Sequence, residues 1–189
     1  PVDQRVLLVT IDEPSLKKLG PWPWSRSVHA DLIDRLNAAQ PEGVLLDVIF
    51  SEPEEPASDK RLSDALCNAG NVVLPLVREG SSRYSQADAQ MLPLLKCAKG
   101  LGHINVEADP DGVVRSLYLR EGPAGATVPQ LAWLAYEMGR EPNPMPGTPQ
   151  ASISQRWQRE YGVRVPVIAS DTRFPSVSYV SVLHGEVPP

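Results

Sequence analysis

Arg5-Val6-Leu7-Leu8-Val9-Thr10-Ile11 and Gly43-Val44-Leu45-Leu46-Asp47-Val48-Ile49-Phe50 are two nearly unbroken apolar, β-branched runs. Such runs suit strands buried on both faces, as in a parallel sheet. Between them Val28, Leu32 and Leu36 recur at helical spacing and Ile33 widens the stripe. The pattern predicts an amphipathic helix from about Arg26 to Ala39, N-capped by Ser25 and ended by Pro41 and Gly43. Strand, helix and strand of this length make a βαβ unit, right-handed by the general rule. A shorter helix should precede it, because Pro14 fits the first helical position and Gly20 a stop. Trp22-Pro23-Trp24 should be extended, since residues before proline avoid helical angles.

The rest of the chain extends the same architecture. Ser58 is placed to cap a third helix carrying Leu62, Ala65, Leu66 and Ala69, which feeds a strand over Val72 to Val77. A helix over Pro93 to Ala98 feeds another strand over Gly102 to Val106. Asp109-Pro110-Asp111-Gly112 is a strong turn signal. With a strand over Val113 to Arg120 it predicts a hairpin, so the sheet is mixed. Pro129 opens a helix with Leu131, Leu134, Ala135 and Met138 on one side. Glu141 to Pro149 reads as a loop, Ser152 to Tyr161 as a short helix, and Val163 to Ile168 and Phe174 to Val182 as strand pieces. The fold class is α/β: a mixed sheet with helices on both faces, in a single domain over residues 1–189.

Composition narrows the function. The 189 residues are 42% hydrophobic and 22% charged, with a net charge of −5. That length suits one sizeable core, and the charge argues against a nucleic-acid partner. The 20 prolines are about twice the average share and sit at element edges, which implies stiffened loops. No apolar run reaches the roughly eighteen residues of a membrane helix. The chain starts at Pro1 without a signal peptide, and is expected to be a processed protein or an excised fragment. Cys67 and Cys97 are the only cysteines. They are a candidate disulfide if the strands they precede are neighbours, which would require an oxidising compartment. Two buried free thiols are the alternative. No metal or other cofactor is expected.

The chemistry concentrates between Ile11 and Glu52. Asp47 lies inside an apolar run, and a buried carboxylate needs a partner or a shifted pKa. Arg26 and His29, at the start of the adjoining helix, are the candidates, either as a structural ion pair or as part of a functional cluster. Asp12 sits where the first strand ends, the usual place for ligands in α/β sheets. It could cap the helix at Pro14, or hold a divalent cation with Asp47. Of Trp22 and Trp24, one is expected to wedge into the core and the other to cover the cluster. Asp109 and Asp111 lack the further ligands of a calcium loop, and Arg115 could reach back to Asp111.

Taken together, Val9-Thr10-Ile11-Asp12 with Ser15-Leu16, Trp22-Pro23-Trp24 with Arg26 and His29-Ala30, and Leu46-Asp47-Val48-Ile49-Phe50 resemble the CHASE-type sensory domain of the second kind. Asp59 with Leu62, Val72-Val73-Leu74-Pro75, Gly102-His103-Ile104-Asn105, Asp109 to Arg115, and the late string Phe174-Pro175-Ser176-Val177-Ser178-Tyr179 are similar too. The resemblance implies an extracytoplasmic, periplasmic sensor of a bacterial transmembrane receptor, with membrane helices absent from this chain. It also implies a cytoplasmic output such as a kinase or nucleotide cyclase, a homodimeric receptor, and an unknown small-molecule or ionic stimulus. The domain itself is expected not to be an enzyme. The family usually continues with a further apolar, glycine-bearing strand; the expectation here is either a fragment cut early, which leaves an open sheet edge, or an ending that differs from the family's. The expected ligand-sensing cluster is Asp12, Trp22, Trp24, Arg26, His29 and Asp47, with His29 giving pH dependence near neutrality. Two rival expectations stand beside it: a metal-dependent hydrolase using Asp12 and Asp47, and a dimerisation module without a ligand.

Overall fold

Asp12 shows how local chemistry sets the first elements. Its backbone is extended, and its side chain accepts a hydrogen bond from the Ser15 amide at 3.0 Å, capping a helix with proline in its first turn. Gly20 closes that helix at φ 91°, a left-handed conformation that glycine adopts without a Cβ penalty. Ser25 caps the next helix by accepting from the Ser27 amide, as its sequence position predicts.

The computed structural model describes residues 3–50, 52–79, 83–84, 96–138, 140, 145–146, 157–165 and 173–186. In chain order the elements begin with β1 (Leu8–Thr10), α1 (Glu13–Leu19), α2 (Arg26–Ala38) and β2 (Val44–Leu45). Next come α3 (Pro56–Ala69), β3 (Val72–Leu76), β4 (Arg78–Glu79), β5 (Arg83–Tyr84) and β6 (Gly100–His103). The chain continues through β7 (Ser116–Pro123), β8 (Val128–Pro129), α4 (Leu131–Glu137), β9 (Trp157–Arg164), β10 (Ser176–Ser178) and α5 (Tyr179–Leu183). The class is α/β, with both parallel and antiparallel strands. The strands form four small sheets, and the elements gather into two compact units built from interleaved segments.

The first unit draws on Pro1–Pro41, Glu54–Ala69 and Ile168–Pro189. β1 and β10 pair in parallel, with Leu8 opposite Ser176, Val9 opposite Val177 and Thr10 opposite Ser178. Trp24, Leu32, Tyr179 and Val182 form its aromatic-aliphatic core, with Val9, Val28 and Val177 packed against them. α3 packs on α2. Its Leu62, Ala65 and Leu66 are fully buried at the spacing the sequence predicts, and Arg61 on its outer face bridges Asp31 at 2.8 Å and Asp34 at 2.5 Å.

The second unit draws on Glu42–Pro53 and Gly70–Val167. β2, β3 and β6 form a parallel sheet, every residue of β3 is buried, and α4 packs on it. β8, β7 and β9 form an antiparallel sheet. Trp157 and Leu76 anchor a small core with Leu101 and Val128. β3 and β6 are neighbours, the condition set above for the cysteine pair, and neither Cys67 nor Cys97 is a free thiol.

Several elements differ from the sequence expectations. The expected β1–α2–β2 unit does not form, because β1 pairs with β10 and β2 with β3. The run after β2 is buried on one face only: Leu46, Val48 and Phe50 are buried, whereas Leu45, Asp47 and Ile49 are exposed. α3 starts at Pro56, ahead of Ser58. The Asp109–Gly112 turn forms, with the Gly112 amide donating to the Asp109 carbonyl at 2.8 Å. No hairpin grows from it, because β7 starts at Ser116 and pairs with β8 and β9. Trp157–Tyr161 is strand where helix was expected, since β7 offers it a ladder. Phe174 to Val182 is strand only as far as Ser178 and then turns helical, burying Tyr179, Val180 and Val182 on the core. The expected helix start at Pro93, most of the loop over 141–149, and residues 152–156 and 166–168 lie outside the described residues.

Gly102 of β6 sits hard against α4. A Cβ there would come within 2.7 Å of Leu131 Cα and 2.9 Å of its amide nitrogen, which are backbone atoms that cannot step aside. Gly102→Ala is therefore expected to cost about 1–3 kcal/mol by overpacking. Gly100→Ala should cost much less, because its closest neighbour is the Leu134 side chain at 3.3 Å. Urea denaturation of the two variants decides this, and equal stabilities would contradict the packing.

Candidate functional site

The last described strand and helix organise the first unit's polar cluster. Asp12 Oδ1 accepts from the Ser15 hydroxyl at 2.6 Å and from the Ser178 hydroxyl at 2.8 Å, besides the Ser15 amide. The Val180 amide donates to Ser15 Oγ at 3.1 Å. These donors hold the Asp12 carboxyl below its ordinary pKa, the Ser15 hydroxyl contributing most. Asp12 thus ties α1 to β10 and α5, a helix cap extended to a distant segment.

One residue further on, the Tyr179 hydroxyl lies 2.9 Å from His29 Nδ1 on α2 and 3.4 Å from the Val28 carbonyl. Aromatic rings close around this contact. Trp24 meets Tyr179 at 4.9 Å between ring centroids, and Trp22 meets Trp24 at 5.3 Å and His29 at 5.5 Å, both edge to face. Trp24 is buried and donates its indole N–H to the Gly20 carbonyl at 2.9 Å. Trp22 stays 42% exposed, and the Trp22–Pro23 peptide is cis. One tryptophan therefore wedges into the core and the other lies over the histidine, the division expected from the sequence.

Burial lowers the His29 pKa to about 4, partly opposed by the nearby Glu54 charge. The same burial raises the Tyr179 pKa. His29 is therefore neutral at pH 7. The expectation of a histidine titrating near neutrality is corrected on this physical ground: desolvation moves its proton uptake into acid.

Arg26 is buried at the α2 N-terminus, and its guanidinium pairs with Asp59 of α3. Its amide donates to Glu54 Oε2 at 3.0 Å, and the Glu54 amide donates to Asp59 Oδ2 at 3.2 Å. Ser25 and Ser58 meet through their hydroxyls at 3.1 Å in the same corner. Asp47 is the outlier. It is exposed in the run beyond β2, so the buried carboxylate expected to need Arg26 or His29 is a solvated one. The carboxylate that meets Arg26 is Asp59.

Of the six residues singled out, Trp22, Trp24 and His29 share one aromatic cluster. Asp12 joins them through the adjoining residues Ser178 and Tyr179, and Arg26 stands three residues before His29 on the same helix. Ser15, Glu54, Asp59, Ser178 and Tyr179 were missed as partners. For Ser15, Asp59, Ser178 and Tyr179 the available signal was their place in the family-like strings. Among the described residues no group of three or more His, Cys, Asp or Glu side chains could hold a metal ion.

Three outcomes follow. Tyr179→Phe removes one hydrogen-bond partner of a buried imidazole and should cost about 1–3 kcal/mol, whereas Asp47→Asn should stay within about 0.5 kcal/mol, as a surface change. Chemical denaturation of both variants tests the contrast, and equal losses would contradict it. Asp59→Ala removes one carboxylate from the buried Arg26 guanidinium and should cost about 2–4 kcal/mol, below the full buried-pair value because Asp59 is 25% exposed. In pH titrations, the unfolded chain takes up protons near pH 6.5 that folded His29 and His103 refuse until about pH 4. Stability should be complete above pH 6.5 and fall as pH drops towards 4, by up to about 1.4 kcal/mol per unit for each histidine. The lowered carboxyls of Asp12 and Asp111 add losses only beneath that window. His29→Gln should flatten the slope between pH 4 and 6.5, and an unchanged slope would refute the assignment.

Comparison with known proteins was made through families, curated proteins and solved structures. Neither the curated proteins nor the solved structures return a significant match. A family model described as CHASE2 domain matches residues 1–189, the full length given. The chain belongs to the CHASE2 domain family, a family of extracellular sensory domains.

Proposed function

We propose that this chain is the periplasmic sensor domain of a bacterial transmembrane receptor, and that it relays a stimulus to a cytoplasmic kinase or nucleotide cyclase outside this sequence. The observation that carries the reading is the family match over residues 1–189. Among the described residues no helix is long and apolar enough to cross a membrane. The receptor would act as a homodimer.

The geometry suggests where a stimulus acts. β1, near the start of the chain, and β10, near its end, are hydrogen-bonded neighbours. Asp12, two residues beyond β1, and Tyr179, the residue after β10, enter the polar and aromatic cluster. A ligand or ion that favours one arrangement of Trp22, His29 and Tyr179 would therefore bias both chain segments together. Only such unequal binding to two conformations can move a signal. Catalysis is not part of this reading: the single Asp12 oxygen that accepts three donors is committed to capping and stitching.

Trp22 is exposed, so truncating it spares the core. In the intact receptor, Trp22→Ala should change stimulus-dependent output at least about fivefold while the isolated domain keeps its Tm within a few degrees. Unaltered output would remove the cluster as the responsive site, and a receptor whose output ignores deletion of the whole domain would remove the sensory reading. The cysteines give a separate check on compartment. Protein purified without reductant and then denatured should show no reactive thiol, as expected for an oxidising space. Two titratable thiols would contradict it.

A further inference from the structure

The second unit contains a cavity of about 230 Å³ that the cluster above does not use. Its size falls below the range of drug-sized sites and suits a small metabolite. Val106, Leu117 and the Tyr118 ring give it an apolar wall. Opposite charges, on Glu107, Glu121 and Arg159, share the remainder of the lining with Asn105 and Ser116. Glu121 of β7 is almost wholly buried and accepts from the Asn105 side-chain amide. Arg159 of β9 reaches Glu107 with one end of its guanidinium and stands over the Tyr118 ring, 5.4 Å from its centre.

Arg159 Nε supplies the second observation. It is buried and makes no hydrogen bond; the nearest carboxylate oxygen, on Glu121, is 3.4 Å away and poorly aligned. Arg159 lines the cavity, so the guanidinium that carries this poorly satisfied N–H is the group a ligand carboxylate would meet. A ligand that is only an anion would face two carboxylates in the same lining, and one that is only a cation would face the guanidinium. His103 does not alter this balance at neutral pH. It is fully buried 4.0 Å from Glu121, and burial keeps it uncharged by lowering its pKa to about 4.

We propose that this cavity binds a small zwitterion of the α-amino-acid type, its carboxylate on Arg159, its ammonium on the Glu107 and Glu121 side, and its side chain against Val106 and Leu117. The site adds a ligand class to the molecule and stands apart from the receptor reading, because its test needs only the purified domain.

The experiment is a thermal-shift titration of the whole chain with the twenty standard L-amino acids, tested singly at 10 mM. Propionate and isopropylamine at the same ionic strength serve as the two halves of the zwitterion. At about tenfold over Kd, a bound amino acid should raise Tm by about 3–6 °C, and neither half should do so. Val106→Trp, a bulkier side chain at an exposed position of the apolar wall, should fill the cavity and abolish the shift. Arg159→Gln should also weaken it. No shift with any of the twenty, an equal shift with either half, or a shift that survives in Val106→Trp overturns the proposal.

Discussion

Two consecutive residues, Ser178 and Tyr179, hold the first unit's site together. One hydroxyl joins the carboxylate that caps α1, and the next joins the imidazole of α2. The two bonds come from opposite sides of a strand-to-helix junction, so both helices are referenced to the same short segment. This segment pairs with β1 through Val177 and Ser178. A displacement of either helix must therefore strain a buried hydrogen bond or carry the segment with it. Interactions of this kind rigidify a polar site when every member is satisfied, and they give a sensor its discrete alternatives when one member is released.

Arg26 adds an electrostatic constraint to the same helix. A guanidinium in the interior is stable only with its charge and donors matched, and Asp59 supplies the charge while Glu54 caps the helix amide beside it. Such a pair contributes little net stability over an apolar replacement, but it fixes the place of α3 on α2. The neutral, buried His29 lies between this ion pair and the aromatic rings, with Glu54 and Arg26 acting on it in opposite directions. Its environment is therefore set by groups from α2, the segment ahead of α3, and α5. Desolvation by these packed groups, more than either charge, puts its proton uptake in acid.

Features governed by neighbours in sequence were legible before the fold was known. The Asp12 and Ser25 caps, the Gly20 stop, and the buried face of Leu62, Ala65 and Leu66 all follow from spacing and capping chemistry. The division of labour between Trp22 and Trp24 followed from the proline between them. Asp47 misled because Leu45 and Ile49 are apolar yet exposed, which disguised an extended run buried on one face as a strand buried on both. The pairing of β1 with β10, and the partners Asp59 and Tyr179, depend on contacts far apart along the chain. No local periodicity encodes them. The late helix was hidden for a related reason: Tyr179, Val180 and Val182 read as strand residues until a core is available to bury them from a helix.

The most direct measurement is native-state amide hydrogen exchange on the domain and on Tyr179→Phe. The account predicts faster exchange at β1 and β10 amides, such as Leu8, whose bond to the Pro175 carbonyl involves no atom of the altered side chain. Unchanged protection along β1 and β10, with loss confined to α2 around His29, would contradict the claim that one segment holds the two helices and the strand pair as a unit.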